Sequence, residues 1–186
     1  LTNFIDNRLS YAGSGQVANL FLQFAIIKKR IKELNSSVRV ITVRKYVSAN
    51  STANTQIFAD SDIVLQAADQ PSGLIDRYVV KAAVAANVAV LLVHNGSVGP
   101  LFTSERGGSF DQFEEYLQKE SAGLYLKLIE NRSENNRTAF PTIAHGILGL
   151  TEYVCDVILA FLATGRFKDL EKAYYDQRSG SLIGYL

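Results

Sequence analysis

The chain has 186 residues, of which 47% are apolar and 20% are charged, and its formal net charge is +1. This composition is typical of one folded domain, and a charge so close to zero, without a basic stripe, argues against nucleic-acid binding. The single cysteine, Cys155, excludes an internal disulfide and a multi-cysteine metal site within this sequence. The apolar stretches are too short or too interrupted for a membrane span, so we expect a cytoplasmic protein without a membrane partner.

The first part of the chain predicts a loop, a helix and a strand. Residues 1–15 are polar and contain glycine, which is typical of a loop. Between residues 16 and 34, apolar residues recur at three- and four-residue steps, so this range predicts a helix. The β-branched, alternating residues 38–43 predict a strand. The polar stretch 48–55 that follows has no apolar period.

The middle part predicts two buried strands joined by a helix. Residues 63–65 are an unbroken apolar run of the kind that is buried on both faces of a parallel sheet, and residues 88–93 are another. The alanine-rich range 72–87 between them predicts a helix. After a predicted loop, 94–108, Ser109 is placed to cap the next helix.

The last part predicts a long helix and a hairpin. Residues 143–163 are strongly apolar, and Gly165 is placed to end that helix. The ranges 173–176 and 182–185 flank a polar turn and predict an antiparallel hairpin. The alternation of strands and helices predicts an α/β fold with a Rossmann-like, mostly parallel sheet, flanking helices and this C-terminal hairpin.

One carboxylate follows the first buried strand, in the sequence DIVLQAADQPSG of residues 62–73. Ligands of open parallel sheets lie outside the carboxyl ends of the strands. At that place Asp69 could hold Mg²⁺ on the phosphates of a nucleotide. It could equally cap the next helix or form an Asx turn. These residues by themselves leave both roles open.

Several segments occur in an order that matches a known family. They are the strand and carboxylate of 59–71, the helix end and edge strand of 31–40, the long helix of 143–165, and the final hairpin. The order resembles that of the E1-like adenylating enzymes, which are the ThiF/MoeB group and the ubiquitin-activating enzymes. The resemblance covers nearly the whole chain and depends on shared order, since no single motif is highly specific.

Two short stretches resemble one subgroup of that family. Asp69-Gln70-Pro71 and Val98-Gly99-Pro100-Leu101-Phe102 are most similar to the peptide-modifying enzymes, among them the microcin-maturing enzyme and the bicyclising enzyme of pantocin A biosynthesis. The resemblance implies ATP-dependent adenylation of a carboxylate on a small ribosomal peptide. That activation would serve cyclisation, or formation of an amide or N–P bond, in peptide-antibiotic biosynthesis. A homodimer is implied as well.

The resemblance also implies roles for individual residues. Asp69 would be the catalytic residue and the anchor for ATP and Mg²⁺. Asn3 and Arg8 are candidates for phosphate contacts. His94 and Asn95, beyond the end of the next strand, would face the acceptor carboxylate. The other interpretation of His94 is a surface loop histidine without a function.

Some features of the family are missing from the sequence. The glycine-rich loop that cradles the triphosphate and the acidic ribose-binding strand end would precede residue 1, and methionine is absent throughout. We therefore expect residues 1–186 to be a single E1-like domain that is incomplete on its N-terminal side. Asp6 stands where the family has a phosphate-binding arginine, and the range 15–18 lacks the two lysines of the family. The zinc cysteines are missing from 109–113, so the structural zinc should be absent or replaced.

The sequence leaves both an enzymatic and a non-catalytic function open. Cys155 lies in an apolar run and is expected to be a small buried hydrophobe, and His145 is expected to be a hydrogen-bonded core residue. Without an evident thioester cysteine, the resemblance favours an acyl-adenylate that is handed directly to a nitrogen. The alternative is a non-catalytic E1-like dimer partner or peptide-binding scaffold. A Rossmann dehydrogenase half is a third interpretation, but nothing in the sequence indicates a nicotinamide site.

Overall fold

The computed structural model describes residues 2–5, 25–43, 47–49, 51–68, 73–94, 96–130 and 144–186 of the chain. Its contacts group the chain into two compact units, Leu1–Val47 and Ser48–Leu186. The fold is α/β, as the sequence predicts, because helices and strands alternate through both units. Within the described residues, the structure contains no helix with the length and hydropathy needed to cross a membrane.

The first unit contains a parallel pair of strands and a helix. Strand β1 (Thr2–Ile5) pairs in parallel with β2 (Val40–Val43), with Thr2 opposite Val40. Helix α1 covers residues 25–34, and the turn after it is closed by Asn35, whose Oδ1 accepts a hydrogen bond from the Ser37 backbone N–H at 3.0 Å. The prediction of a loop over 1–15 was wrong for β1. The composition of that stretch could not reveal the strand, because its pairing partner lies far along the chain.

The second unit contains one five-stranded sheet with helices around it. The sheet order is β3-β4-β5-β6-β7, so every strand neighbours the next one in sequence. Helix α3 connects the first two strands, and α6 precedes the last two. The elements are α2 (Ser51–Phe58), β3 (Ile63–Gln66), α3 (Leu74–Ala85), β4 (Ala89–His94), β5 (Ser97–Phe102), α4 (Phe110–Glu120), α5 (Leu124–Glu130), α6 (Ala144–Thr164), a 3₁₀ turn (Lys168–Leu170), β6 (Ala173–Asp176) and β7 (Ser181–Gly184).

The predicted mostly parallel sheet needs a correction. Strands β3 and β4 are parallel, with Ile63 opposite Ala89, whereas β4–β5, β5–β6 and β6–β7 are all antiparallel. The error comes from β5, which lies inside the range 94–108 that was predicted as a loop. Gly99 and Pro100 interrupt its apolar pattern, and the β4–β5 register shifts where they lie. Proline occurs within sheets mainly at such irregularities. The predicted C-terminal hairpin is confirmed by β6 and β7.

Helices cover both faces of this sheet. Strand residues at alternate positions face opposite sides. One side carries Gln66, which reaches α3, and Phe102, whose ring packs edge-on against Phe110 of α4 at 5.6 Å between centroids. The other side packs against α6 in a separate apolar cluster (Ala89, Leu91, Val98, Leu101, Leu150, Val154, Val157 and Leu170). The side chain of His94, the last residue of β4, is 40% exposed.

Several predicted helix boundaries are confirmed. Ser109 caps α4: its hydroxyl accepts from the Gln112 backbone N–H, and the Gln112 side chain accepts from the Ser109 N–H. Gly165 ends α6 with a φ of 68°, and its N–H donates to the Phe161 carbonyl at 2.7 Å. Helix α2 was not predicted, because only Ile57 and Phe58 at its end are large apolar residues.

Two predictions of burial were wrong. Cys155 is exposed on α6, because the residues that pack on the sheet, Val154 and Val157, lie on the opposite side of that helix. Leu65 of β3 is 45% exposed, so this strand is not buried on both faces as its apolar run predicts. The side chain of His145 lies outside the described residues, and its predicted core role stays a prediction. Hydropathy alone does not determine which side of an apolar helix or strand is covered.

Gly107 lies close to the backbone of Glu171. Its φ is +86°, and a Cβ placed on it would lie 2.6 Å from the Glu171 carbonyl oxygen. Gly180 has a similar φ of +64° but no neighbour within 4 Å of such a Cβ. Gly107→Ala should therefore lower the free energy of unfolding by about 2 kcal/mol more than Gly180→Ala, which carries only the cost of the positive φ. Urea unfolding of both variants measures the difference, and equal losses would contradict the clash.

Candidate functional site

The candidate site lies at the carboxyl end of the parallel strand pair. His94 is the last residue of β4, and it pairs with Ser97 of β5, which pairs in turn with Asp176 of β6. Residues directly opposite each other on neighbouring strands share a face of the sheet. His94, Ser97 and Asp176 therefore form one polar row across three strands, on the face that α3 and α4 cover.

A carboxylate from α3 contacts the histidine of this row. His94 Nε2 lies 3.3 Å from Asp76 Oδ1, and the His94 side chain is 40% exposed whereas that of Asp76 is 13% exposed. The same Oδ1 accepts a hydrogen bond at 3.0 Å from Nε2 of Gln66, a buried residue at the end of β3. Gln66 Nε2 also donates to the Ala68 carbonyl at 2.8 Å. The two parallel strands and the first turn of α3 thus meet at one carboxylate.

Beside His94 there is a cleft of about 260 Å³. Its apolar wall comes from Phe113 and Leu117 of α4 and from Tyr174 of β6. Its polar rim consists of His94, Ser97, Asp176 and Arg178. An apolar wall with a few converging polar groups is the usual composition of a small-molecule or peptide side-chain pocket.

The carboxylate on the rim is held in its charged form. Hydrogen bonds from Ser179 lower the pKa of the Asp176 carboxyl below its ordinary value. One of them runs from the Ser179 backbone N–H to Asp176 Oδ2 at 3.0 Å. On the wall, burial raises the pKa of the Tyr174 hydroxyl, which lies 3.4 Å from the Tyr116 hydroxyl. At neutral pH the cleft therefore presents an ionised carboxylate beside a neutral phenol.

A partly buried ion pair joins α3 to α4, the helix that supplies much of the apolar wall of the cleft. Arg77 of α3 forms a bidentate contact with Glu114 of α4, with Nε to Oε1 and Nη2 to Oε2 both at 3.0 Å. Tyr125 of α5 donates its hydroxyl proton to Glu114 Oε1 at 2.9 Å. The hydrogen bond to Glu114 raises the pKa of Arg77, and burial together with the Glu114 charge raises the pKa of Tyr125. Because Arg77 follows Asp76 directly, the pair also anchors the turn that contacts His94.

The structure describes only part of the predicted site. His94 lies on the rim of the cleft as the last residue of β4, whereas the sequence predicts it in the loop after the strand, and its role toward the acceptor carboxylate stays a prediction. Asp69, Arg8 and Asn95 lie outside the described residues. The backbone of Asn3 lies in β1, opposite Ile41, in the first unit, and its side chain lies outside the described part. The assignments of these four residues stay predictions.

In the part of the chain that the structure describes, no three His, Cys, Asp or Glu side chains cluster closely enough to hold a metal ion. Asp76 contacts the side chains of Gln66 and His94, and each of these side chains can donate a hydrogen bond. A magnesium ion that bridges ATP phosphates needs only one or two protein carboxylates. The assignment of Mg²⁺ therefore depends on Asp69 and the phosphates of the nucleotide.

Sequence reasoning missed most of the residues that surround His94. In the sequence, Asp76 does not differ from any acidic residue in the first turn of a helix, where the helix dipole favours a negative charge. Gln66 ends an apolar strand as a single polar residue, and that interruption was the one local signal available. Tyr174 and Asp176 reach the cleft only because β6 pairs with β5. That pairing could not be predicted, because the sequence predicts a loop where β5 lies.

Comparisons with known proteins bear on the fold. No family model matches the sequence, and no curated protein does. Among solved structures, the chain is similar to the crystal structure of selenomethionine-labelled PaaA, with a TM-score of 0.59 and 15% sequence identity over 84% of this chain and 52% of PaaA. The chain thus spans about half the length of PaaA. At this identity the likeness supports the shared α/β fold alone.

Proposed function

We propose that this protein uses ATP and Mg²⁺ to adenylate a carboxylate on a small ribosomal peptide. The activated carboxyl carbon is then attacked by a nitrogen of the peptide, as in the biosynthesis of peptide antibiotics. The proposal places the protein with the E1-like adenylating enzymes and includes their homodimeric assembly. In this proposal, the cleft beside His94 is the place where the carboxylate of the peptide binds.

The observation that carries the proposal is the arrangement at the carboxyl end of β3 and β4. These two strands are parallel, and a cleft opens beside the last residue of β4. Strands β3 and β4 end at the same edge of the sheet, because parallel strands end on the same side, and Asp69 follows the last residue of β3 by three positions in the sequence. Nucleotides and their substrates bind outside the carboxyl ends of parallel strands. A phosphate anchor after β3 and an acceptor cleft beside β4 fit that rule.

The residues of the cleft suit a peptide substrate. Phe113 and Leu117 offer an apolar wall for a side chain, and Arg178 on the rim can pair with a carboxylate. Asp176, which is ionised, can pair with an ammonium or accept from a peptide N–H. Mg²⁺ would neutralise charge on the phosphates during attack at the α-phosphorus. The cleft would orient the carboxylate of the peptide.

The competing function is a peptide-binding scaffold without catalysis. The same cleft could hold a peptide segment, since nothing in its lining requires ATP. Pyrophosphate exchange separates the two functions, because only adenylation returns labelled pyrophosphate into ATP. We expect the full-length protein to catalyse exchange with at least one member of a pool of short synthetic peptides that vary in aspartate, glutamate and the free carboxyl terminus.

Cys155 supplies a control for this assay. Cys155 is exposed, so its thiol is accessible to an acyl group. Cys155→Ser should leave both exchange and product formation within about twofold of the wild type, since a transfer straight from the adenylate needs no thiol. Exchange that survives while product formation is lost in Cys155→Ser would indicate a thioester. Peptide binding without any exchange in the wild type would favour the scaffold.

A further inference from the structure

We propose that Asp76 and His94 form a base that accepts the proton of the attacking nitrogen, with Asp76 as the positioning residue and His94 as the catalytic residue. This inference rests on the proposed function, and it gives His94 and Asp76 a role in proton transfer that the resemblance does not imply. It starts from the 3.3 Å contact between His94 Nε2 and Asp76 Oδ1.

The contact decides which ring nitrogen faces the substrate. A neutral imidazole has one N–H donor and one acceptor nitrogen. Nε2 is the ring nitrogen that lies 3.3 Å from the carboxylate, so we place the proton on Nε2 and the lone pair on Nδ1. Within the described residues, His94 Nδ1 makes no hydrogen bond, and His94 lies on the polar rim of the cleft. The arrangement is that of an imidazole with a lone pair available to a bound ligand.

The surroundings of Asp76 hold it in place. Its side chain is 13% exposed, and Gln66 donates to the oxygen that His94 contacts. The next residue, Arg77, is fixed by its bidentate contact with Glu114. A carboxylate held on both sides can orient an imidazole and stabilise the imidazolium that forms when the imidazole accepts a proton. A histidine of a surface loop would need no such support.

The step balances without any further reactant. The nitrogen attacks the carbonyl carbon of the acyl-adenylate, and a C–N bond forms. The C–O bond to the phosphate breaks, and its electron pair leaves with AMP. The proton of the nitrogen moves to His94 Nδ1. Acid–base catalysis of this kind is worth about 10²–10⁴ in rate.

Hydroxylamine provides the test, because it is a strong nucleophile that traps an acyl-adenylate as a hydroxamate with little need for a base. The probe is the peptide that supports exchange, with three readouts: pyrophosphate exchange, hydroxamate formation and the cyclic or amide product. We expect His94→Gln to lower product formation about 100-fold and the other two less than about tenfold. Equal losses in all three readouts would overturn the role as a base and leave His94 as a binding residue.

Asp76→Asn tests the positioning role separately. It should lower kcat of product formation about tenfold while KM for the peptide stays within about twofold, because the amide keeps the shape but not the charge. The matched control is Asp156→Asn, an exposed aspartate on α6, which should behave as wild type. A changed KM with an unchanged kcat would contradict the positioning role.

The ring itself gives a readout that is independent of activity. The chain has two histidines, so a His145→Gln background leaves His94 as the only imidazole signal in ¹⁵N NMR. We expect the Nε2–H tautomer in the wild-type pair and a mixture of tautomers in Asp76→Asn. An Nδ1–H tautomer in the wild-type pair would overturn the inference. A wild type that catalyses no exchange would instead mean that the proposed function has failed.

Discussion

Replacing Glu114 by alanine should lower the free energy of unfolding by about 3 kcal/mol, because it leaves Arg77 and Tyr125 without their buried partner. Glu114 is buried and accepts from both residues at 2.9–3.0 Å. We place the loss at the lower end of the range for broken buried pairs, since the Arg77 side chain keeps 31% of its exposure and can be partly hydrated. For a chain of this size the melting temperature should fall by roughly 6–12 °C.

The adjacent residue provides the matched control. Glu115 lies on the same helix, and its side chain is 66% exposed in a contact of 3.1 Å with Lys119. Glu115→Ala should cost no more than about 0.5 kcal/mol, which is the usual value of an exposed pair at this spacing. Thermal unfolding by circular dichroism measures both variants. A similar small loss for Glu114→Ala would show that α3, α4 and α5 are not fixed by this ion pair.

Asp69→Asn should reduce pyrophosphate exchange by about 100-fold, the usual effect of removing one charge-stabilising group from a reaction centre. The N-cap position of α3 is Gly73, so the structural role that remains for Asp69 is an Asx turn, which asparagine supports as well as aspartate. The two roles that the sequence leaves open for Asp69 therefore predict different results. An Asx turn alone predicts normal exchange and a normal melting temperature. Asp60→Asn, an exposed aspartate upstream of β3, is the control and should retain exchange.

The regular parts of the fold could be predicted because their signals are local. Apolar runs marked β3 and β4, and single residues such as Ser109 and Gly165 marked helix ends. Strand β5 was missed because its Gly99-Pro100 pair looks like a turn in the sequence. Whether it forms a strand depends on neighbours β4 and β6, and that information is not local.

Only those residues of the candidate site that lie at the ends of predicted strands could be predicted from the sequence. The rule that parallel strands deliver ligand-binding residues at their carboxyl ends selected His94, which lies on the cleft, and its binding role stays a prediction. It could not find Asp76, because the contact with His94 depends on how α3 packs against β4. The exposure of Cys155 was beyond prediction for a related reason. An apolar helix has two sides, and only the folded sheet determines which of them is covered.

The central claim is that the phosphates of ATP bind at the carboxyl ends of β3 and β4. A crystal structure of the protein with Mg²⁺ and α,β-methylene ATP, which cannot be cleaved at the α-phosphorus, tests it most directly. We expect the triphosphate at this edge of the sheet, with the Asp69 carboxylate next to the metal and the α-phosphate toward His94. An analogue bound elsewhere would contradict the claim. So would an Asp69 side chain turned into the first turn of α3 with no room for phosphate.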